Sequence, residues 1–287
     1  MSSFAQMKQN RQSQLANLTT ELEKTQTVTS YVDDRIWKCE RDKSGNGYAV
    51  IRFLPPSEGE DLPWIRVWDH GFQGPGGWYI ENSLTTLQQN DPVSEYNTSL
   101  WNNGTQSGKD QARKQKRRLN YYSNILVIKD PVNPENEGEV RIFRYGKKIF
   151  DKINDVMNPE FEDESPVNPF DLWTGANYKI KVRMVEGYVN YYKSEFDPIS
   201  PLAGDDETLQ AVWERQYPLN DFLSEDKFKS YGELKAKLNR VLGIGIDDEE
   251  VVARTIVEDD EPDIPSQASE ESTETLSYFQ KLANEEY

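Results

Sequence analysis

The residues best suited to chemistry in this sequence are cations and aromatic rings concentrated in residues 109–152. This stretch carries twelve Lys or Arg against six Asp or Glu, in a chain of 287 residues whose formal net charge is −17. Aromatic residues adjoin the cations, as where Tyr121 and Tyr122 follow the run Lys-Arg-Arg at 116–118. Cations neutralise phosphates and rings stack on bases, so the pattern predicts sequence-tolerant binding of a single-stranded nucleic acid.

A plainer alternative is a solvated charged face that covers ordinary core aromatics. The concentration of positive charge against the acidic trend of the chain favours binding. Neighbouring residues of a regular strand point to opposite faces, so Tyr121 and Tyr122 cannot both enter one groove. We therefore expect some of the rings to belong to the core.

Most of the acidity belongs to the C-terminal region, because residues 247–287 hold fourteen acidic residues against Arg254 and Lys281. The single cysteine, Cys39, excludes an intramolecular disulfide and a multi-cysteine metal site, which fits a reducing, intracellular setting. Apolar runs fall short of the roughly 18 residues that a membrane helix needs, so we expect no membrane partner.

Sequence periodicity predicts a mainly β protein with helical insertions, of the α+β class. Strands are predicted at 48–54, 64–68, 78–80, 124–129, 140–145 and 178–185, and helices at 146–157, 206–216 and 227–242. Such elements suit a small closed or nearly closed barrel, and a five-stranded OB-fold core with an added subdomain and C-terminal helices is one solution. Residues 82–112 are expected to form a long loop or that subdomain.

The predicted domain plan places this core at 36–246, after a linker at 25–35. Residues 1–24 are predicted to form a basic amphipathic helix, with Lys8 and Arg11 in the gap of its apolar stripe. Residues 247–287 have the composition of a flexible acidic tail, with a short partner-binding motif at 275–283.

Several blocks of the chain, taken in order, resemble one known family. They include SGNGYAVIRFLP (44–55), YSNILVIKDPVNPENEGEV (122–140) and YGKKIFDKIN (145–154). From about 45 to 243 the sequence resembles the single-stranded DNA-binding proteins of T-even-type bacteriophages. The resemblance implies an OB-fold cleft and cooperative, sequence-nonspecific binding of single-stranded DNA. It places that role in phage DNA replication, recombination and repair, in the cytoplasm of the infected bacterial host.

The resemblance also implies particular site residues and partners. Carried onto matching positions, the nucleic-acid-binding residues are Lys116, Arg117, Arg118, Tyr121, Tyr122, Phe143, Arg144, Tyr145, Lys147, Tyr188 and Tyr191. Self-association along DNA would use the N-terminal segment, where Lys8 and Arg11 are the nearest matches. The acidic tail would bind phage replication and recombination proteins.

A structural zinc ion, held by one His and three Cys, is a further implication of the resemblance. In this sequence His70 persists, but Ser83, Asp91 and Ser94 stand at the cysteine positions. Hydroxyl and carboxylate oxygens retain zinc far less tightly than thiolates do. We therefore predict no zinc and no other cofactor.

Two other function classes fit the sequence less well. An enzyme is not expected, because the chain has one His and one Cys and lacks a phosphate-binding loop, a nucleophile elbow and an HExxH motif. An acidic adaptor of a replication complex, without direct DNA binding, remains the alternative. It would explain the two ends of the chain but not the basic stretch.

Overall fold

The computed structural model describes residues 33–244 except 162 and 186. The predictions for Lys8, Arg11, the N-terminal helix and the acidic tail lie outside these residues. The chain divides after Ile36 into two units, and the elements that follow Trp37 belong to the second.

Within the described residues the second unit is a mixed α+β structure in which one large antiparallel sheet dominates. The strands are β1 (Ile36–Trp37, which spans the division), β2 (Gly47–Phe53), β3 (Ile65–Gly74), β4 (Gly77–Asn82), β5 (Arg118–Lys129), β6 (Val140–Tyr145), β7 (Asn177–Val185), β8 (Tyr188–Asn190) and β9 (Glu195–Phe196). The α-helices are α1 (Pro92–Asn102), α2 (Gln106–Lys114), α3 (Lys147–Met157), α4 (Asp206–Glu214) and α5 (Tyr231–Leu242). No helix of the described residues has the length and apolar character that crossing a membrane requires.

Strand β5 organises the sheet because it pairs with three others. Its first residues pair with β3, its middle with β6 and its last residues with β2. Strand β2 also pairs with β7, which in turn pairs with β8 and β9. The turn after β3 returns the chain as β4, so β3 and β4 form a hairpin.

Three apolar clusters hold these elements together. The largest lies between the sheet and α3, whose Ile149 and Ile153 are buried against strands β2, β5, β6 and β7. A second cluster packs α5 against the β3–β4 hairpin and Val93 of α1. At that contact the backbone N–H of Gly76 donates to the carbonyl of Val241 at 2.8 Å, and a Cβ on Gly76 would lie only 2.1 Å from the carbonyl of Arg240.

Two features of the structure bear on the site. Strand β5 begins at Arg118, six residues before the predicted strand, so the basic run enters the sheet directly. Residues 82–112 contain α1 and most of α2. Helix α1 begins where the side chain of Asp91 accepts the backbone N–H groups of Val93 and Ser94, the usual function of an N-cap residue.

Candidate nucleic-acid interface

The strand registers decide which candidate side chains share a face of the sheet. Tyr121 lies opposite Tyr145, and Tyr122 lies opposite Arg144. Directly opposed residues share a face, whereas neighbours along a strand alternate between faces. We call the side of Tyr121 and Tyr145 the inner face, and the side of Tyr122 and Arg144 the arginine face. The alternation expected for Tyr121 and Tyr122 is thereby confirmed.

Three of the predicted stacking rings, Tyr121, Phe143 and Tyr145, lie on the inner face and are buried. Tyr121 stacks on Phe150 of α3 with ring centroids 4.0 Å apart, and Phe143 stacks on Tyr145 at 5.3 Å. Burial raises the pKa of Tyr145, whose hydroxyl lies 2.9 Å from Ser123 Oγ. Strand alternation directs these rings toward α3, so they form core rather than an open binding surface.

The arginine face carries an ion cluster centred on Asp69, which is only 7% exposed. Its carboxylate accepts hydrogen bonds from Nε and Nη2 of Arg118 and from Nη2 of Arg144, all at 2.9 Å. Nε of Arg144 also donates to Asn120 Oδ1 at 3.1 Å. Arg118 is largely covered, while Arg144 reaches solvent with 42% of its side chain exposed.

Tyr122 shares the arginine face but is not an open ring. It is buried and stacks on Phe222 with ring centroids 4.9 Å apart. Phe222 belongs to the 3₁₀ turn Leu219–Leu223, which covers this part of β5. The base-stacking predicted for Tyr122 would therefore require that turn to move.

A second group of cations lies near the edge of the inner face. Lys116 and Arg117 precede β5 and are exposed, and the Arg117 guanidinium lies over the Trp68 ring, 4.3 Å from its centroid. Arg66 lies two residues from Trp68 on the same face of β3 and opposite Tyr121. Burial raises the pKa of Tyr121, while the nearby charge of Arg66 acts to lower it.

Helix α3 continues this group of cations. Lys147, in its first turn, also lowers the pKa of Tyr121 against the larger effect of burial, and its ammonium lies 2.6 Å from Asp151. Lys152 lies 6.0 Å from the ring centroid of Tyr192, which is 78% exposed. We define the cation–aromatic rim by what its members share, which is exposure or contact with an exposed cation or ring: Arg66, Trp68, Arg117, Lys147, Lys152 and Tyr192.

The two tyrosines predicted after β7, Tyr188 and Tyr191, differ in their exposure to solvent. Tyr188 begins β8 and is 46% exposed, whereas Tyr191 is half-buried and packs against the main core. The ring of the neighbouring Tyr192 is exposed to solvent. Its backbone N–H donates to Asn190 Oδ1 in a tight turn, and this turn ends the alternation of side chains along the strand. Lys193 also lies over the Tyr192 ring, at 5.9 Å.

Three of the four positions singled out for the absence of zinc, His70, Ser83 and Asp91, are buried in a polar cluster, and the half-buried Ser94 joins it through its backbone N–H. His70 Nε2 lies 3.2 Å from Asp91 Oδ1, and His70 Nδ1 lies 3.0 Å from the carbonyl of Gln115. Asp91 also accepts the backbone N–H groups of Leu84 and Ser94 at 3.2 and 2.9 Å. Burial acts to raise the pKa of Asp91, but hydrogen bonds from His70, the Ser94 N–H and Ser83 hold it at about 2.

Sequence reasoning missed Arg66, Asp69 and Tyr192. Arg66 alternates with apolar residues in WIRVW, and a cation beside two Trp residues in a strand was a usable signal. No sequence signal marks Asp69, because its partners Arg118 and Arg144 lie 49 and 75 residues away along the chain. The sequence prediction names Tyr191 and not Tyr192, because the turn that exposes Tyr192 depends on a hydrogen bond to Asn190.

Comparison with known proteins finds relatives that cover most of this chain. The family model described as "gp32 DNA binding protein like" matches residues 45–242. The "Single-stranded DNA-binding protein" of Enterobacteria phage T2 is 42% identical over 214 residues, which cover 72% of this chain and 70% of the relative. The protein of the same name from Enterobacteria phage T4 is 41% identical over 217 residues, which cover 73% and 71%.

Proposed function

The chain belongs to the family of gp32-like DNA-binding proteins, and from that premise we propose that it binds single-stranded DNA without reading base sequence. The observation that carries the proposal is the cation–aromatic rim, where the exposed Arg117 lies over Trp68 and the half-buried Lys152 lies beside the exposed ring of Tyr192. Cations release counterions from phosphates, and rings stack on any base. We also propose a role in phage DNA replication, recombination and repair in the host cytoplasm, supported by the phage origin of the relatives named as single-stranded DNA-binding proteins.

The residues proposed for contact with DNA form two sets. Lys116, Arg117, Arg144 and Lys147 neutralise phosphates, joined by Arg66 and Lys152. Tyr188 and Tyr192 are the exposed rings that offer a stacking face, while the buried rings on β5 and β6 support the surface from below. Tyr191 and Arg118 act at the margin of this surface, where each is partly covered.

We further propose that the sheet core is an OB-fold. Support comes from the long strand β5, which pairs with β3, β2 and β6 along its twelve residues, as a strand does where a small barrel closes. Helix α3 follows β6 and covers the inner face of that core. Residues 82–112, which contain α1 and most of α2, would be the added subdomain.

Zinc does not fit the cluster around His70, and we propose that this protein works without it. The Asp91 carboxylate already accepts N–H groups from Leu84, Val93 and Ser94, and the remaining donors are hydroxyl groups rather than thiolates. The buried contact of His70 with Asp91 would join β3 to the start of α1 in place of a metal.

Metal analysis and unfolding test this metal-free cluster. The purified protein should carry no stoichiometric zinc, and EDTA should leave its melting temperature unchanged. Asp91→Ala should lower the free energy of unfolding by about 3–5 kcal/mol, because it removes one partner of a buried pair. Stoichiometric zinc, or a melting temperature that falls with EDTA, would overturn the proposal.

The remaining parts of the proposal concern segments outside the described residues. Residues 1–24 would mediate self-association along DNA through Lys8 and Arg11, and residues 247–287 would bind phage replication and recombination proteins. The protein would act as a binder and not as an enzyme. Deleting 247–287 should preserve or raise DNA affinity in such a binder, since an acidic tail competes with DNA for basic residues.

Titration of full-length protein with fluorescein-labelled oligothymidylate, at several salt concentrations, tests the proposed function. We expect log Kd to rise with log salt, with a slope of about 0.7 per phosphate contacted. Mixed-sequence single strands of equal length should bind similarly, and duplex DNA should bind more weakly. A protein that fails to bind any single strand, yet binds partner proteins, would be the acidic adaptor instead.

A further inference from the structure

A buried carboxylate lies inside the positively charged surface, where an acidic residue would ordinarily oppose DNA. Asp69 is nine-tenths buried, and three N–H groups from Arg118 and Arg144 converge on it at 2.9 Å. These arginines come from different strands, β5 and β6, and Asp69 comes from β3. One carboxylate therefore fixes two guanidinium groups across three strands.

We propose that Asp69 is a positioning residue that holds Arg118 and Arg144 as a two-arginine clamp for a DNA phosphate. The inference rests on the proposed single-strand binding and adds a residue of the opposite charge to that site. Two guanidinium groups around one carboxylate keep a net charge of +1, so the cluster still attracts an anion. Bidentate geometry is what makes arginine suited to phosphate.

The hydrogen bonds fix the plane of each guanidinium. Arg118 uses Nε and Nη2 against both oxygens of Asp69, and Arg144 uses the same two atoms against Asn120 and Asp69. These bonds leave the Nη1 amines of both arginines unused. Arg144, with 42% of its side chain exposed, is the one that reaches solvent, whereas Arg118 is only 16% exposed. Gly71 leaves the space for this arrangement, because a Cβ there would lie 2.4 Å from Arg118 Nη2.

Removing the Asp69 carboxylate should change the affinity for DNA in opposite directions under the two possible accounts, positioning of the arginines and net charge alone. If charge alone matters, Asp69→Asn raises the positive charge by one and strengthens binding to DNA. If Asp69 orients the arginines, the same change frees both side chains, and ordering them again on binding costs free energy. The sign of the change in affinity therefore decides between the two accounts.

The experiment compares Asp69→Asn with a matched control, Asp110→Asn, in oligothymidylate titrations of the full-length protein. Asp110 pairs with Arg113 on the exposed surface of α2, so its removal changes charge without touching the clamp. We expect Asp69→Asn to weaken binding about tenfold and to reduce the salt slope by about 0.7, while Asp110→Asn leaves binding equal or tighter. Tighter or unchanged binding by Asp69→Asn would overturn the proposal.

A charge-neutral variant keeps the test decisive if Asp69→Asn folds poorly. Arg144→Lys preserves the charge of an exposed residue but cannot bridge Asp69 and Asn120 with a planar fork. It should weaken binding several-fold, whereas Arg215→Lys, at an exposed arginine that donates to the carbonyl of Gly138, should not. Equal binding by Arg144→Lys and wild type would refute the clamp. Failure of wild type to bind any single strand would instead refute the proposed function.

Discussion

Two cationic surfaces of this molecule are built from neighbouring residues, yet their cations are held in different ways. On the arginine face, Arg118 and Arg144 share the buried carboxylate of Asp69. On the rim, the guanidinium of the preceding residue, Arg117, lies over the ring of Trp68. At the start of β5, therefore, Arg118 is held by a carboxylate, while Arg117, one residue earlier, is held by an aromatic ring.

The difference assigns different tasks to the two surfaces. A carboxylate fixes the direction of an arginine but cancels part of its charge, whereas a ring supports a cation and leaves its full charge to the solvent. The rim should therefore contribute most of the salt-dependent attraction for DNA. The arginine face should contribute geometry at one fixed phosphate position.

The largest expected effect separates buried rings from exposed ones. Phe143→Ala should lower the free energy of unfolding by about 3–5 kcal/mol, because Phe143 packs on Trp37, Phe53 and Tyr145 in the main core. Tyr192→Ala, at an exposed ring, should leave it almost unchanged. Urea unfolding of both variants measures the two changes in the free energy of unfolding. Similar losses of stability would mean that the two rings have similar environments.

Local periodicity predicted those parts of the fold that local pattern determines. The expected strand at 140–145 agrees with β6, and the expected helix at 146–157 begins one residue later as α3. The predicted start of β5 is too late because Arg118 and Asn120 interrupt the apolar pattern, and Asn is a poor strand former. The pairing with β3 that extends it joins residues about fifty positions apart.

The site was harder to predict than the fold for the same reason. Charge concentration singled out residues such as Lys116 and Arg117, and the structure places both at the surface. The sequence could not decide which rings the sheet covers, because burial of Tyr121 and Tyr122 depends on α3 and on Phe222. Asp69 acquires its role through contacts that no local pattern encodes.

A smaller effect tests whether the exposed ring of the rim takes part in binding. Tyr192→Ala should weaken oligothymidylate binding by about 1–3 kcal/mol, the usual cost of losing one base-stacking ring. Trp173→Ala is the matched control, since this exposed indole donates to the carboxylate of Asp206 and so lies in an acidic setting. Equal affinities for the two variants in fluorescence titrations would remove Tyr192 from the site.

The smallest effect concerns a single cation that the sequence did not single out. Arg66→Ala should reduce the slope of log Kd against log salt by about 0.7, because one phosphate contact releases that share of counterions from a single strand. Lys235→Ala on α5 is the control, as Lys235 is an exposed cation over the ring of Tyr231, which is not among the residues proposed to contact DNA. If Arg66→Ala keeps the full slope of log Kd against log salt while Asp69→Asn loses part of it, the DNA phosphates contact the arginine face rather than the rim. The division of tasks between the two surfaces would then be reversed.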